Sequence, residues 1–250
     1  MTGAAKRGFD ILLVLAALLA GWQALYHVAG ETALTSPAQT LAYVGELFTT
    51  KSAMFARHAW ETGRAFLMAL GLSYAIGLAI GVALGAHRLS GAVAEPILVA
   101  LYSLPKVTLY PVILLVFGLG LSAKVAFGAI HGVVPVAVFA MNAIRNIKPV
   151  YLKTAKTMRL GPAQVVATVI VPAALPEIVT GMRVGFSLTL LGVIIGEMFA
   201  SKQGLGFMVI NAINLADVET MMAVAFILFV AAAIANGILL WLDHWLHKRV

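Results

Sequence analysis

The chain contains no cysteine. Disulfides, thiolate metal sites and cysteine nucleophiles are therefore excluded. Charge is also scarce. Asp, Glu, Lys and Arg make up 11% of the 250 residues, against about 25% in an ordinary soluble domain. No segment reads Gly-x4-Gly-Lys-Ser/Thr, so a P-loop nucleotide triphosphatase does not reside in this chain. No Gly-x-Ser-x-Gly elbow and no His-x-x-x-His pair occurs, and His27, His58, His87, His131, His244 and His247 are scattered. Paired catalytic carboxylates are missing as well. Glu177 and Glu197 share one apolar run but stand about 30 Å apart along a helix. The expectation is a protein that is not an enzyme, with no metal and no cofactor of its own.

What the chain has is apolar surface: 62% of its residues are hydrophobic. A soluble fold of this size could not bury that much, and runs near 20 residues have the length that crosses a bilayer core of about 30 Å as helix. The runs do not alternate, which excludes a membrane β-barrel. The fold class expected is all-α: a polytopic membrane protein forming a single domain over residues 1–250. Six spans are predicted, at about 9–28, 65–86, 97–119, 125–144, 178–200 and 221–241. The third is interrupted by Pro105-Lys106 and Pro111, and the fourth contains Pro135. The first run is longer than a signal peptide's apolar core and is read as a retained span.

Lys and Arg outnumber Asp and Glu, 17 to 10, for a net charge of +7. No folded module carries these bases as a nucleic-acid surface would require, so nucleic acid is not an expected partner. Their placement sets orientation instead. With the N-terminus in the cytoplasm, the inside segments hold Lys6, Arg7, Arg88, Arg145, Lys148, Lys153, Lys156, Arg159, Lys248 and Arg249. The outside segments hold only Lys51, Arg57, Arg64, Lys124 and Lys202. Both termini are therefore expected inside.

Glycines recur at four-residue spacing: Gly77, Gly81 and Gly85 in the second span, Gly128 and Gly132 in the fourth, Gly181 and Gly185 then Gly192 and Gly196 in the fifth. That spacing lets helix backbones approach closely in lipid, where no hydrophobic force drives helices together. Ionisable groups at membrane depth are expensive and are candidates for a pathway. Lys106 beside Pro105, Arg183 and Glu197 qualify; snorkelling or structural pairing are the alternatives for each.

The longest connection between later spans, residues 145–177, is predicted to be cytoplasmic. Tyr151–Arg159 reads as a short helix. Leu152, Ala155 and Met158 make an apolar stripe; Lys153, Lys156 and Arg159 make a basic one, with Thr154 among them. Gly161-Pro162 breaks this helix, and a second short helix over 163–171 is expected to end at Pro172. A helix-turn-helix of this pattern suits docking to a soluble partner.

This loop resembles that of the permease subunits of ATP-binding-cassette importers, most nearly the nitrate, sulfonate and taurine type. The family loop reads Glu-Ala-Ala, a Gly six residues after the Glu, then Ile-x-x-Pro. Here the corresponding residues are Lys153-Thr154-Ala155, Arg159 and Val169-Ile170-Val171-Pro172; a glycine follows at Gly161. Val171-Pro172-Ala173-Ala174-Leu175-Pro176, Gly196-Glu197-Met198 with Gly204-Leu205-Gly206, and Asn142-Ala143-Ile144-Arg145-Asn146-Ile147 also resemble family segments. The resemblance implies a type I importer architecture in the bacterial cytoplasmic (inner) membrane. It implies a second permease copy, usually identical, and two cytoplasmic ATPases binding ATP and Mg and docking on the loop. It also implies an external solute-binding protein and a small anionic or polar solute. The competing reading is an ion- or proton-coupled secondary transporter, which the lack of inverted halves disfavours.

Overall fold

The computed structural model describes residues 3–247. Of the residues named above, Lys248 and Arg249, and the side chains of Lys6, Arg7, Arg88, His244 and His247, lie outside the described residues. The described chain is helical, without strands. Its elements are α1 (Gly3–Ala29), α2 (Pro37–Phe48), α3 (Ser52–Gly85), α4 (Arg88–Ser103), a 3₁₀ turn (Lys106–Leu109), α5 (Tyr110–Phe117) and α6 (Leu121–Arg145). They continue with α7 (Pro149–Thr157), α8 (Pro162–Val165), a π-helical turn (Val166–Ile170), α9 (Val171–Ala200), α10 (Leu205–Asn214) and α11 (Val218–His247). Among the described residues, five stretches are long and apolar enough to span a membrane, or six if the bent α4–α5 pair counts as one.

Helices α3, α6 and α9 form the frame, and the glycine spacings explain why. A Cβ on Gly77 would lie 2.7 Å from Val136 Cβ, one on Gly81 2.6 Å from the Ala137 carbonyl oxygen, and one on Gly85 2.9 Å from that of Met141. The α3 and α6 backbones therefore touch along three turns. Further along α6, Gly128 admits Val193 of α9 and Ala69 of α3, and Gly132 admits Ser73 of α3 and Thr189 of α9. Ser73 Oγ and Thr189 Oγ1 are hydrogen-bonded at 3.0 Å there, and Ser73 also donates to the Ala129 carbonyl. Gly181 and Gly185 receive Phe139 and Val136, and Gly192 receives His131. Gly196 is the exception: a Cβ there would make only ordinary contacts.

Three expectations need correction. The second span begins at Ser52, so α3 is 34 residues, about 51 Å, and projects past a bilayer core. The third span begins at Arg88 rather than Ile97, and at the expected interruption by Pro105-Lys106 its two halves are bent by 84°. Leu104 precedes Pro105 and is pushed to an extended conformation, φ −64° and ψ 136°, which ends α4. Finally, Pro172 does not end a second loop helix. The Val171 N–H bonds the Val166 carbonyl, five residues back. That wider turn sits just upstream of the proline and makes room for its ring. α8, the π turn and α9 thus run on as one 38-residue helical span, Pro162–Phe199.

Helix α1 stands at the periphery. From Phe9 to Leu19 its apolar side chains are exposed. Its ties to the rest include the Trp22 indole, which donates to the Thr35 carbonyl at 3.0 Å and leans on Phe226.

Close backbone packing makes a sharp prediction. Gly81→Val should cost about 1–3 kcal/mol through overpacking. Gly71→Ala, where nothing lies within 4 Å, should be neutral or slightly stabilising. Melting temperatures of the two detergent-solubilised variants test this; equal melting would remove the α3–α6 contact from the account.

Candidate functional site

Three polar regions stand out. The first is the loop carrying α7, at one end of the bundle. Proline at its first position starts α7, and the helix closes with the Met158 N–H on the Thr154 carbonyl and the Leu160 N–H on that of Ala155. Arg159 occupies the left-handed region there, φ 52°, where glycine is usual. The Gln164 side-chain oxygen accepts from the Gly161 N–H at 2.9 Å and opens α8. Leu152, Lys153, Thr154, Lys156, Met158 and Arg159 are exposed. Ala155 is not: it is 2% exposed, so the apolar stripe is not uniformly presented. At the loop's root, Arg145 is paired with Glu95 of α4 at 2.8 Å.

The second region lies higher on the same half of the bundle. Arg183 of α9 is 3.8 Å from the Asp243 carboxylate of α11, which also accepts from the Thr180 hydroxyl at 3.2 Å. Arg183 lines a cavity of about 360 Å³ with Tyr102, Ser187 and Asn236. Lys106, beyond Pro105, turns back and donates to the Tyr102 carbonyl at 3.1 Å. Tyr102 therefore stands between Lys106 and the cavity holding Arg183.

The third region is at the far end, among α3, α6, α9 and the turn before α10. Glu197 is fully buried. Its carboxylate accepts from the Thr62 hydroxyl at 2.8 Å and the Gly206 N–H at 3.0 Å. The Lys124 ammonium lies 3.7 Å from it and donates to Glu61 at 3.0 Å; Glu61 is also paired with Arg64 at 2.8 Å. Thr62 in turn accepts from the Leu205 N–H, and Tyr110 donates to the Gly196 carbonyl at 2.6 Å. The Gly-Leu-Gly turn is needed here. A Cβ on Gly204, φ 120°, would strike the Glu197 carboxylate, and one on Gly206 would lie 2.9 Å from Glu197 Cβ.

The structure thus does not gather Lys106, Arg183 and Glu197 into one site. Glu197 stands about 21 Å along α9 from Arg183. Lys124, expected in a solvated loop, is 1% exposed and central to the Glu197 cluster. Lys124, Glu61, Thr62, Asp243 and Glu95 were not legible as partners, because each pair joins residues distant in the chain. Outside the spans at this end, Lys51 donates to the Tyr43 hydroxyl at 2.7 Å. That bond holds its ammonium above the ordinary lysine pKa. Among the described residues, no three His, Asp or Glu side chains are arranged to hold a metal ion.

Removing one partner from a buried ion pair costs about 3–5 kcal/mol. Glu197→Ala should therefore lower the melting temperature strongly. Arg145→Ala, which breaks a partly exposed pair, should cost about 1 kcal/mol or less. Comparable losses in the two variants would contradict the burial argument.

Comparison with known proteins agrees with this layout. A "probable ABC transporter permease protein" of Haemophilus influenzae is 29% identical over 93% of this chain and 94% of its own. The taurine transport system permease protein of Escherichia coli is 29% identical over 65% of this chain and 62% of its own. A putative aliphatic sulfonates transport permease protein of Bacillus subtilis is 27% identical over 95% and 86%. Among solved structures, an inward-facing methionine ABC transporter superposes with a TM-score of 0.68 at 19% identity, covering 79% of this chain and 98% of that one. The profile of one family matches residues 74–250, which include the α7 loop, the Arg183 cavity, and Lys124 and Glu197 of the third region, but not Glu61 and Thr62. The chain belongs to the inner membrane components of binding-protein-dependent transport systems, the permeases of ABC importers.

Proposed function

We propose that this chain is one of two identical permease subunits that together import a small anionic or polar organic solute. The relatives named for taurine and aliphatic sulfonates support that solute class, and so does a third named for bicarbonate. The chain forms one permease domain, residues 1–250, with both termini in the cytoplasm. The α7 loop is then cytoplasmic and the Glu197 cluster faces outward. Energy comes from a separate pair of ATPases that bind ATP and Mg and grip residues 145–177. An external solute-binding protein delivers cargo to the outer face.

One observation carries the mechanism: the helix from Pro162 to Phe199 is unbroken. At 1.5 Å per residue it reaches about 57 Å. A displacement of the loop by ATPase closure is therefore delivered along α9 to the Glu197 cluster as a rigid-body motion. ATP binding favours the loop position of one pore state and so biases the equilibrium between inward- and outward-open forms. Arg183, Ser187, Asn236 and Tyr102 offer polar groups along the way.

Two glycines inserted between Ile170 and Val171 should uncouple the motor. ATPase binding and hydrolysis should persist while uptake into proteoliposomes falls at least tenfold. Unimpaired uptake would overturn transmission through α9. Uptake driven by an ion gradient with no ATPase present would instead establish the secondary-transporter reading.

A further inference from the structure

The charges of the α7 loop after its root are of one sign up to Glu177, which already lies within α9. From Asn146 to Pro176 there is no Asp or Glu, while Lys148, Lys153, Lys156 and Arg159 all fall there and all are exposed. None of the four makes an ion pair among the described residues, whereas Arg145 at the loop's root is already held by Glu95. Setting topology asks only for positive charge near a span end, with no particular shape. This loop has a shape. α7 is a regular helix fixed through Ala155, which is 2% exposed. Lys153 and Lys156 lie one turn apart on its solvent side, and Arg159 caps it.

Arg159 is the telling residue. It takes φ 52° at the end of α7, a conformation that costs an L side chain free energy and costs glycine almost none. Only Ala216 joins it among the described non-glycine residues. Its guanidinium is exposed and makes no ion pair among the described residues, so it is placed to pair with a group outside the fold. Exposed Leu152 and Met158 flank the bases and supply apolar contact.

We propose that Lys153, Lys156 and Arg159 seat in an acidic groove of the cytoplasmic ATPase subunit, and that Arg159 is the residue that selects that subunit. This rests on the reading above that an ATPase docks on the loop, and it specifies the chemistry of the groove. A partner with a neutral or basic groove would face unpaired charges and be rejected.

The test uses the full chain, tagged, purified from its own cells in nanodiscs with its co-purifying ATPase. A zero-length carbodiimide, which joins amines to carboxylates, should form isopeptide bonds between Lys153 or Lys156 and Asp or Glu of that subunit. Lysine-to-lysine reagents capturing the same lysines, with no carbodiimide bond, would overturn the acidic groove. Arg159→Gly should raise the permease's melting temperature yet weaken ATPase retention at least fivefold, and Arg159→Lys should restore much of it. Retention by Arg159→Gly equal to wild type would remove Arg159 from the interface. An absence of any co-purifying ATPase would sink the docking reading itself along with this one.

Discussion

Contact between helix backbones is the constraint on which the structure depends. In hydrocarbon, a helix gains nothing by hiding leucines from water, so attraction must come from many atoms at van der Waals distance. The hydrogen side chains of Gly77, Gly81 and Gly85 let α3 sink against α6, and Gly128 and Gly132 let α6 accept α9 and α3. The Ser73–Thr189 bond at that crossing satisfies two hydroxyls with each other where water is scarce. With the three helices locked, their ends are placed closely enough for Glu61, Thr62, Lys124 and Glu197 to converge.

The Glu197 cluster is costly and only partly satisfied: Oε1 of Glu197 is buried without a hydrogen bond, with the Lys124 ammonium 3.7 Å away. Burying a carboxylate and an ammonium is unfavourable unless geometry and hydrogen bonds repay it. Thr62 and Glu61 of α3 and the Gly206 N–H of α10 provide part of that repayment from two separate elements. The cluster therefore reports on the relative position of α3, α6 and α9 at one end of the frame. The loop sits on the other end, joined to it by α9. Together they make a lever with a grip at one end and a charged seat at the other.

Much of this was legible in the chain, for definable reasons. Four-residue glycine spacing is a local signal, and the structure places those glycines, Gly196 apart, at tight helix contacts. The α7 helix was visible from its periodicity; its exposed charges and capped end follow. The prolines were legible in part: the interruption expected at Pro105 occurs, and the one expected at Pro172 does not. Pro105 produces an 84° bend, because the residue before it must leave the helical region. Pro172 produces no break, because a π turn absorbs it. Nothing local distinguishes the two. Ion pairs were the least legible. Lys124 meets Glu61 across 63 positions and Arg183 meets Asp243 across 60, and only the folded frame brings them together.

Helix α1 has a different relation to its surroundings. From Phe9 to Leu19 its apolar side chains are exposed, and Trp22 tethers it to the loop before α2. A helix face turned to acyl chains is judged by its solvent on bulk and oiliness, and hardly at all on which residue stands where. Its composition can drift among leucine, valine and alanine at little cost. The glycines of α6 have no such freedom, since each is the shape of a neighbour's absence.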